Sequence, residues 1–217
     1  MAESSILATL PPLQRLALAY APAASRPAMV GLFALDARLA DIVRHSHEPM
    51  LAQLRLAWWR EQLSGTSAGP GSGDPLLALL NNWPGSRAAL AGLADGWEAM
   101  TGPPPLPESA FATLAEARGT AFAALADSPD EAAIALRMGQ SWALADIAAH
   151  LSDPRERDAV LALVRGRDWR WQRLPRQLRP LAVLHGLAAR TDWQTNDAVS
   201  QTPGALLAAI RIGITGR

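Results

Sequence analysis

Cysteine and lysine are both absent from the 217-residue chain, and each absence excludes a class of chemistry. Without cysteine, the chain cannot form disulfides, use a thiol nucleophile or bind zinc through thiolates. Without lysine, it has no P-loop lysine, no Schiff-base lysine and no lysine general base. The absence of cysteine also fits a reducing compartment, so we expect a cytoplasmic protein.

A surplus of charge is absent as well, because 20 basic and 20 acidic residues give a formal net charge of zero. A neutral chain creates no long-range field that attracts nucleic acid, so no nucleic-acid partner is expected. No apolar run reaches the roughly 18–20 residues needed to span a bilayer. Glu3 precedes Ile6 and Leu7 with no positive charge before them, where a signal peptide would carry positive charge. These features predict a cytoplasmic chain, with peripheral contact with the inner membrane as the alternative location.

Apolar residues recur at three- and four-residue spacing through most of the chain, which predicts an all-α fold. The clearest case is 26–63, where two helices flank a polar turn and Pro49 suits the start of the second helix. Gly119 interrupts another helical pattern, where a missing side chain allows a second helix or a ligand to approach closely. The remaining helices are predicted at 13–21, 75–80, 86–100, 108–126, 131–151, 154–164, 181–189 and 204–212.

The length fits one domain over 1–217, with a flexible Gly/Ser-rich loop at about 64–74. Neither side of this loop has enough apolar helix to build a core of its own. We therefore expect a single-domain helical bundle.

Two sequence segments carry a family resemblance: LFALDARLADIV, from Leu32 to Val43, and WWR, from Trp58 to Arg60. Together with 15–26, 93–100 and 139–154, they resemble the squalene/phytoene synthase family. The resemblance implies the isoprenoid synthase fold and an enzyme that joins two prenyl diphosphates head to head. It also implies Mg²⁺ as the cofactor, held against the substrate diphosphates by two clusters of acidic residues.

The first of these acidic clusters is incomplete in this chain. The resemblance places its three carboxylates at Ala40, Asp41 and Arg44, so one acid remains. Asp41 alone is more typical of a surface or interhelical ion pair than of a metal ligand.

The second cluster departs further from the family pattern. The resemblance places its first Asp at His150 and its closing Asp at Pro154, and the Gln and Asn that precede the cluster at Ala143 and Asp146. Asp146 and His150 lie one helical turn apart, so they form either a weak metal pair or a hydrogen-bonded i,i+4 pair. Magnesium prefers oxygen ligands, which makes an imidazole a poor replacement for a carboxylate.

The damaged clusters predict a catalytically inactive or altered family member. The resemblance then implies a prenyl-lipid-binding role, or a role in assembling a respiratory complex, as in a branch of the family that lost both clusters. One alternative is an active prenyltransferase with rearranged Mg²⁺ ligands, and another is a helical protein-interaction scaffold. The candidate pocket acids for the enzyme are Asp36, Asp41, Asp95, Glu98 and Asp146.

Residues of the second helix are candidates for contact with phosphate or lipid. Arg55 and Arg60 supply positive charge, unless neighbouring acids neutralise them. Trp58 and Trp59 are adjacent, so they cannot both face one core, and one of them is expected at a cavity or an interface.

A basic and aromatic segment at 165–179 is the candidate interaction surface, with six arginines against one acid. It suits a protein partner or peripheral membrane contact better than nucleic acid. The alternative is an exposed helix end whose arginine stems cover apolar surface. The residues proposed for contact are Trp169, Arg170, Trp171, Arg173, Arg176 and Arg179.

Overall fold

A computed structural model describes residues 2–46, 48–65, 73–191, 209 and 211–213, and all regular structure within these ranges is helical. The all-α prediction is confirmed. None of the described helices is both long enough and apolar enough to cross a bilayer. The α-helices are α1 (Ala2–Thr9), α2 (Pro12–Leu18), α3 (Arg26–His45), α4 (Pro49–Ser64), α5 (Pro75–Leu80), α6 (Arg87–Glu98), α7 (Glu108–Ala123), α8 (Pro129–His150), α9 (Pro154–Arg165) and α10 (Arg179–Ala188), with short 3₁₀ turns at Ala99–Thr101 and Arg176–Leu178.

Proline and side-chain caps fix most of the helix starts. Seven helices begin with proline in their first two positions, where the missing N–H has no helical partner to lose. The side chains of Asp74, Ser128 and Asp153 accept backbone N–H groups of the helices that they precede. Because these signals are local, the predicted starts of α4, α5 and α9 agree with the structure.

Helix α3 is the centre of the fold. It is buried on most of its surface and packs against α1, α2, α4, α5 and α6. Helices α7 and α8 form the most extensive helix pair, and they meet where Gly119 lies against Gly139. A Cβ atom on Gly119 would lie 2.7 Å from the backbone oxygen of Leu136. The close approach expected at Gly119 is therefore that of a second helix, α8.

Near the chain ends, one predicted helix is shorter in the structure, one helix was not predicted, and one prediction lies mostly outside the described residues. The helix predicted at 13–21 ends at Leu18, because the following amides bond to carbonyls three residues back and form turns before Pro22. Helix α1 was not predicted, since it has no proline start and its few turns show no clear apolar stripe. The helix predicted at 204–212 lies mostly outside the described residues, although 209 and 211–213 are helical. That 1–217 forms one domain stays a prediction.

Candidate functional site

A cavity of about 200 Å³ lies between α2, α3, α6, α7 and α8, and it is the candidate site. Most of its surface is apolar, and α3 and α8 contribute the largest share of its side chains. A mostly apolar hollow with a few polar groups is typical of a small-molecule site. The polar side chains that line it are Gln14, Asp36, Arg44, Arg118, Asp146 and His150.

Arg118 joins the two acids of this cavity. Its Nε and Nη2 atoms lie 2.9 and 2.8 Å from the two carboxylate oxygens of Asp36, and Nη1 lies 2.9 Å from Oδ2 of Asp146. The indole N–H of Trp97 donates a further 2.8 Å hydrogen bond to Asp36. The side chains of Arg118 and Asp36 are only 6% and 7% exposed, so this ion pair is shielded from water.

The electrostatics of this group favour a permanent cation at Arg118. Burial by itself lowers the pKa of Arg118, but the charges of Asp36 and Asp146 outweigh burial and hold that pKa above its ordinary value. The guanidinium also lies 5.1 Å from the ring centre of Trp97 and 5.4 Å from that of Trp142. Aromatic faces at this distance add further attraction for a cation.

Sequence reasoning missed Arg118, although a signal for it exists. On α7 the apolar stripe includes Phe111, Leu114 and Phe122, and Arg118 falls in the same register. A lone arginine on a buried helical face requires an acidic partner from another helix. Asp36, in the middle of the apolar pattern of α3, is that partner.

Asp41 lies away from the acids of the cavity. Its carboxylate accepts a 2.6 Å hydrogen bond from Arg44, three residues along the same helix, and both side chains are more than half exposed. It lines a different hollow, between α1, α3 and α5. Two of the three motif positions of α3, Asp41 and Arg44, therefore form an exposed ion pair with each other.

Asp95 and Glu98 lie on the exposed side of α6 and share one arginine. Arg60 Nη1 is 2.9 Å from Asp95 and 3.3 Å from Glu98. The hydrogen bond and charge of Asp95, followed by the charge of Glu98, raise the pKa of Arg60. Arg60 therefore ties α4 to α6, and these two acids do not line the cavity.

His150 lies at the cavity, one turn after Asp146. Its Nδ1 atom is 2.7 Å from the backbone oxygen of Asp146 and 3.7 Å from that residue's carboxylate. The imidazole is about two thirds exposed, so it lies at the solvent side of the site. The carboxylate of Asp146 makes its closer contact with Arg118.

The two adjacent tryptophans of α4 differ in burial, although their rings meet edge to face with the ring centres 5.3 Å apart. Trp59 is buried, with its ring 6.0 Å from the guanidinium of Arg38, whereas Trp58 is 41% exposed. Trp58 borders a surface groove together with Arg60. Arg55 is exposed on α4 and does not line the cavity.

The segment 165–179 divides into a packed part and an exposed part. The indole N–H of Trp169 donates a 3.1 Å bond to the Val164 oxygen, and its ring stacks on His185 at 5.2 Å. Arg179 is half-buried at the start of α10. The exposed part of the candidate interaction surface is Arg170, Trp171, Arg173 and Arg176.

The acidic residues of the described chain do not fit the two magnesium clusters that the resemblance implies. Within the described ranges, no group of three or more His, Asp or Glu side chains is arranged to hold a metal ion. Each of the five candidate acids contacts an arginine instead. An arginine within 4 Å competes directly with a divalent cation for the same carboxylate oxygens.

Comparison with known families identifies the chain. The family model for squalene/phytoene synthase matches residues 15–134, which is more than half of the sequence. No curated protein and no solved structure matched the chain. The matched region begins within α2, contains Asp36 and Arg118, and ends in α8 before Asp146. The chain belongs to the squalene/phytoene synthase family.

Proposed function

We propose that this family member does not condense prenyl diphosphates and instead binds a single isoprenoid lipid in the cavity between α3, α7 and α8. The observation that carries the proposal is the position of Arg118 between Asp36 and Asp146. The family acts on prenyl diphosphates, so an isoprenoid chain is the expected apolar ligand.

Charge in the cavity argues against a diphosphate. The carboxylates of Asp36 and Asp146 balance the guanidinium groups of Arg118 and Arg44, and Asp41 already contacts Arg44. A diphosphate would bring at least two negative charges into a site with no surplus of positive charge. Burying such charges without partners costs far more than an apolar chain contributes.

Cavity size argues against two substrates. A volume of about 200 Å³ lies below the roughly 300–1,000 Å³ of common small-molecule sites. One isoprenoid chain fits such a space better than the two chains that a condensation requires. The apolar lining, with Leu114, Ile147 and Leu151, suits the hydrocarbon part of that ligand.

The alternative, an active enzyme with rearranged Mg²⁺ ligands, requires large changes in the positions of the candidate acids. Asp95 and Glu98 contact Arg60 on the outer side of α6, and Asp41 lines another hollow and contacts Arg44. Bringing these acids to one ion would break the ion pairs and move the helices that carry them. The site therefore supports lipid binding better than this alternative.

A second candidate function, protein contact in the assembly of a larger complex, is favoured by an exposed apolar stripe on α4. Met50, Leu51, Leu54 and Trp58 are 70%, 47%, 62% and 41% exposed. Contiguous exposed apolar side chains are typical of interaction surfaces. The change Leu54→Glu should then reduce recovery of a partner in affinity purification from the native cells, with the exposed Arg55→Glu as the neighbouring control.

The test of lipid binding is calorimetry with farnesyl diphosphate and with farnesol, each with Mg²⁺ and with chelator. We expect farnesol to bind with the same affinity in both conditions, and we expect no magnesium-dependent binding of the diphosphate. Binding of the diphosphate that is lost with chelator and in Asp146→Ala or Asp41→Ala would support the enzyme instead.

A cavity-filling variant tests whether the lipid binds in this cavity. Ala40 lines the cavity and is 8% exposed, so Ala40→Phe should abolish farnesol binding. Ala112→Phe makes the same change on the exposed side of α7 and should leave binding intact. Equal binding by both variants would place the lipid elsewhere.

A further inference from the structure

Gln14 brings an unpaired polar group to the cavity. This residue of α2 is only 6% exposed, and its side-chain oxygen has no hydrogen-bond partner among the described residues. Gln14 lines the same cavity as Asp36 and Arg118. A buried acceptor without a partner is unfavourable, and few such groups persist without a reason.

The other buried polar groups of the cavity already have partners. Asp36 accepts from Trp97 and Arg118, and Asp146 accepts from Arg118. Arg118 uses Nε and both terminal nitrogens in these contacts. Gln14 is therefore the buried side chain at which a ligand gains a new hydrogen bond.

The unpaired atom selects the chemistry of the ligand headgroup. A side-chain oxygen needs a donor, and a hydroxyl is the simplest neutral donor that an isoprenoid carries. A hydroxyl also accepts a hydrogen bond, so it satisfies the amide in either of its two orientations. A hydrocarbon end leaves Gln14 unpaired, and a diphosphate offers acceptors alone next to Asp36 and Asp146.

We propose that the cavity recognises a neutral isoprenoid alcohol, with the hydroxyl bound to Gln14 and the chain against the apolar lining. The inference rests on the proposed lipid-binding function and adds the identity of the headgroup. Charge balance around Arg118 favours the same ligand, because a neutral headgroup leaves both of its ion pairs intact.

The experiment compares farnesol with farnesene, the corresponding hydrocarbon, by calorimetry or by competition with a fluorescent lipid. Wild-type protein should bind farnesol about tenfold more tightly, since a hydrogen bond to an otherwise unpaired buried group contributes roughly that factor. Gln14→Met and Gln14→Leu replace the amide side chain with an apolar one of similar size. Both should bind the two ligands equally.

The control is Gln177→Leu, which makes the same chemical change outside the cavity, where Gln177 bonds to Asp127. This variant should keep the preference for farnesol. Thermal melting by circular dichroism shows whether each variant is folded, and the comparison of two ligands on wild-type protein stands if a variant does not fold.

The outcomes separate this inference from the proposed function. If wild-type protein binds both ligands equally, or if Gln14→Met keeps the preference, the role of Gln14 is wrong while lipid binding stands. If wild-type protein binds neither ligand, the proposed function is wrong, and the headgroup inference is overturned with it.

Discussion

The indole N–H of Trp97 and the guanidinium of Arg118 both donate to Oδ1 of Asp36, at 2.8 and 2.9 Å. One buried carboxylate thereby joins α3, α6 and α7, and Arg118 extends the connection to Asp146 on α8. The two acids of the cavity are thus held in an internal ion network. This network has consequences for stability as well as for ligand choice.

Removal of Arg118 should destabilise the protein strongly. Arg118→Met leaves Asp36 buried without its cation, and loss of one partner from a buried ion pair costs about 3–5 kcal/mol. Urea denaturation followed by circular dichroism measures the change. Adding Asp36→Asn to Arg118→Met should recover part of the loss, because the uncompensated charge is then removed.

The matched control is Arg44→Met, since the pair of Arg44 and Asp41 is exposed and such pairs contribute about 1 kcal/mol or less. If Arg118→Met costs no more than Arg44→Met, the internal network does not stabilise the fold.

Glycine at the crossing of α7 and α8 should be required by packing. A Cβ atom at Gly119 would lie 2.7 Å from the Leu136 oxygen and 2.9 Å from Cγ of Gln140, so Gly119→Ala should cost about 1–3 kcal/mol. A Cβ atom at Gly92 on α6 would meet no other described part of the chain within 4 Å, so Gly92→Ala should stabilise the helix by about 0.4–1 kcal/mol. Thermal melting of both variants gives the comparison, and a stabilising Gly119→Ala would contradict the close packing.

Local signals explain why the helices could be predicted from sequence. Proline at a first helical turn, and capping by Ser128 and Asp153, act within a few residues and are visible without the fold. Helix α1 lacked such a signal, because it has no proline in its first turn and follows Met1 rather than a capping residue. The end of α2 depends on turns before Pro22 rather than on a recognisable cap.

The site could be predicted only in part, because its contacts join distant residues. The sequence suggested Asp36 and Asp146 as cavity acids, and the structure brings them to one cavity through Arg118. The contacts of Asp95 and Glu98 with Arg60 depend on how α4 packs against α6, which periodicity does not specify. The cations of these four acids therefore needed the fold, whereas Asp41 pairs with Arg44 three residues along the same helix, a spacing that the sequence itself shows.

The pair of tryptophans on α4 should differ in their contribution to stability. Trp59 is 4% exposed and Trp58 is 41% exposed, although they are neighbours in sequence. Trp59→Ala should cost about 3–5 kcal/mol through a large cavity. Trp58→Ala should cost well under half of that, because its ring keeps much of its contact with water in the folded protein. Urea denaturation of both variants measures the difference, and equal losses would contradict the orientation of α4.

Protonation of His185 should destabilise the fold in mild acid. The imidazole is 1% exposed, and neither ring nitrogen has a hydrogen-bond partner among the described residues. Burial lowers the pKa of His185 from 6.5 to about 4, although the charge of Asp168 acts in the opposite direction. Between these two pH values the unfolded chain binds the proton and the folded chain does not.

The free energy of unfolding should therefore be fully retained above about pH 6.5 and fall as the pH approaches 4, by up to roughly 3 kcal/mol from this residue. Urea denaturation from pH 7.5 to 4 measures how steeply the free energy of unfolding falls with pH. Below about pH 5, the protonation of carboxylates also contributes to this slope. His185→Phe keeps a ring beside Trp169 and should make the slope shallower. Identical slopes for wild type and His185→Phe would mean that the buried imidazole accepts a proton without cost to the fold.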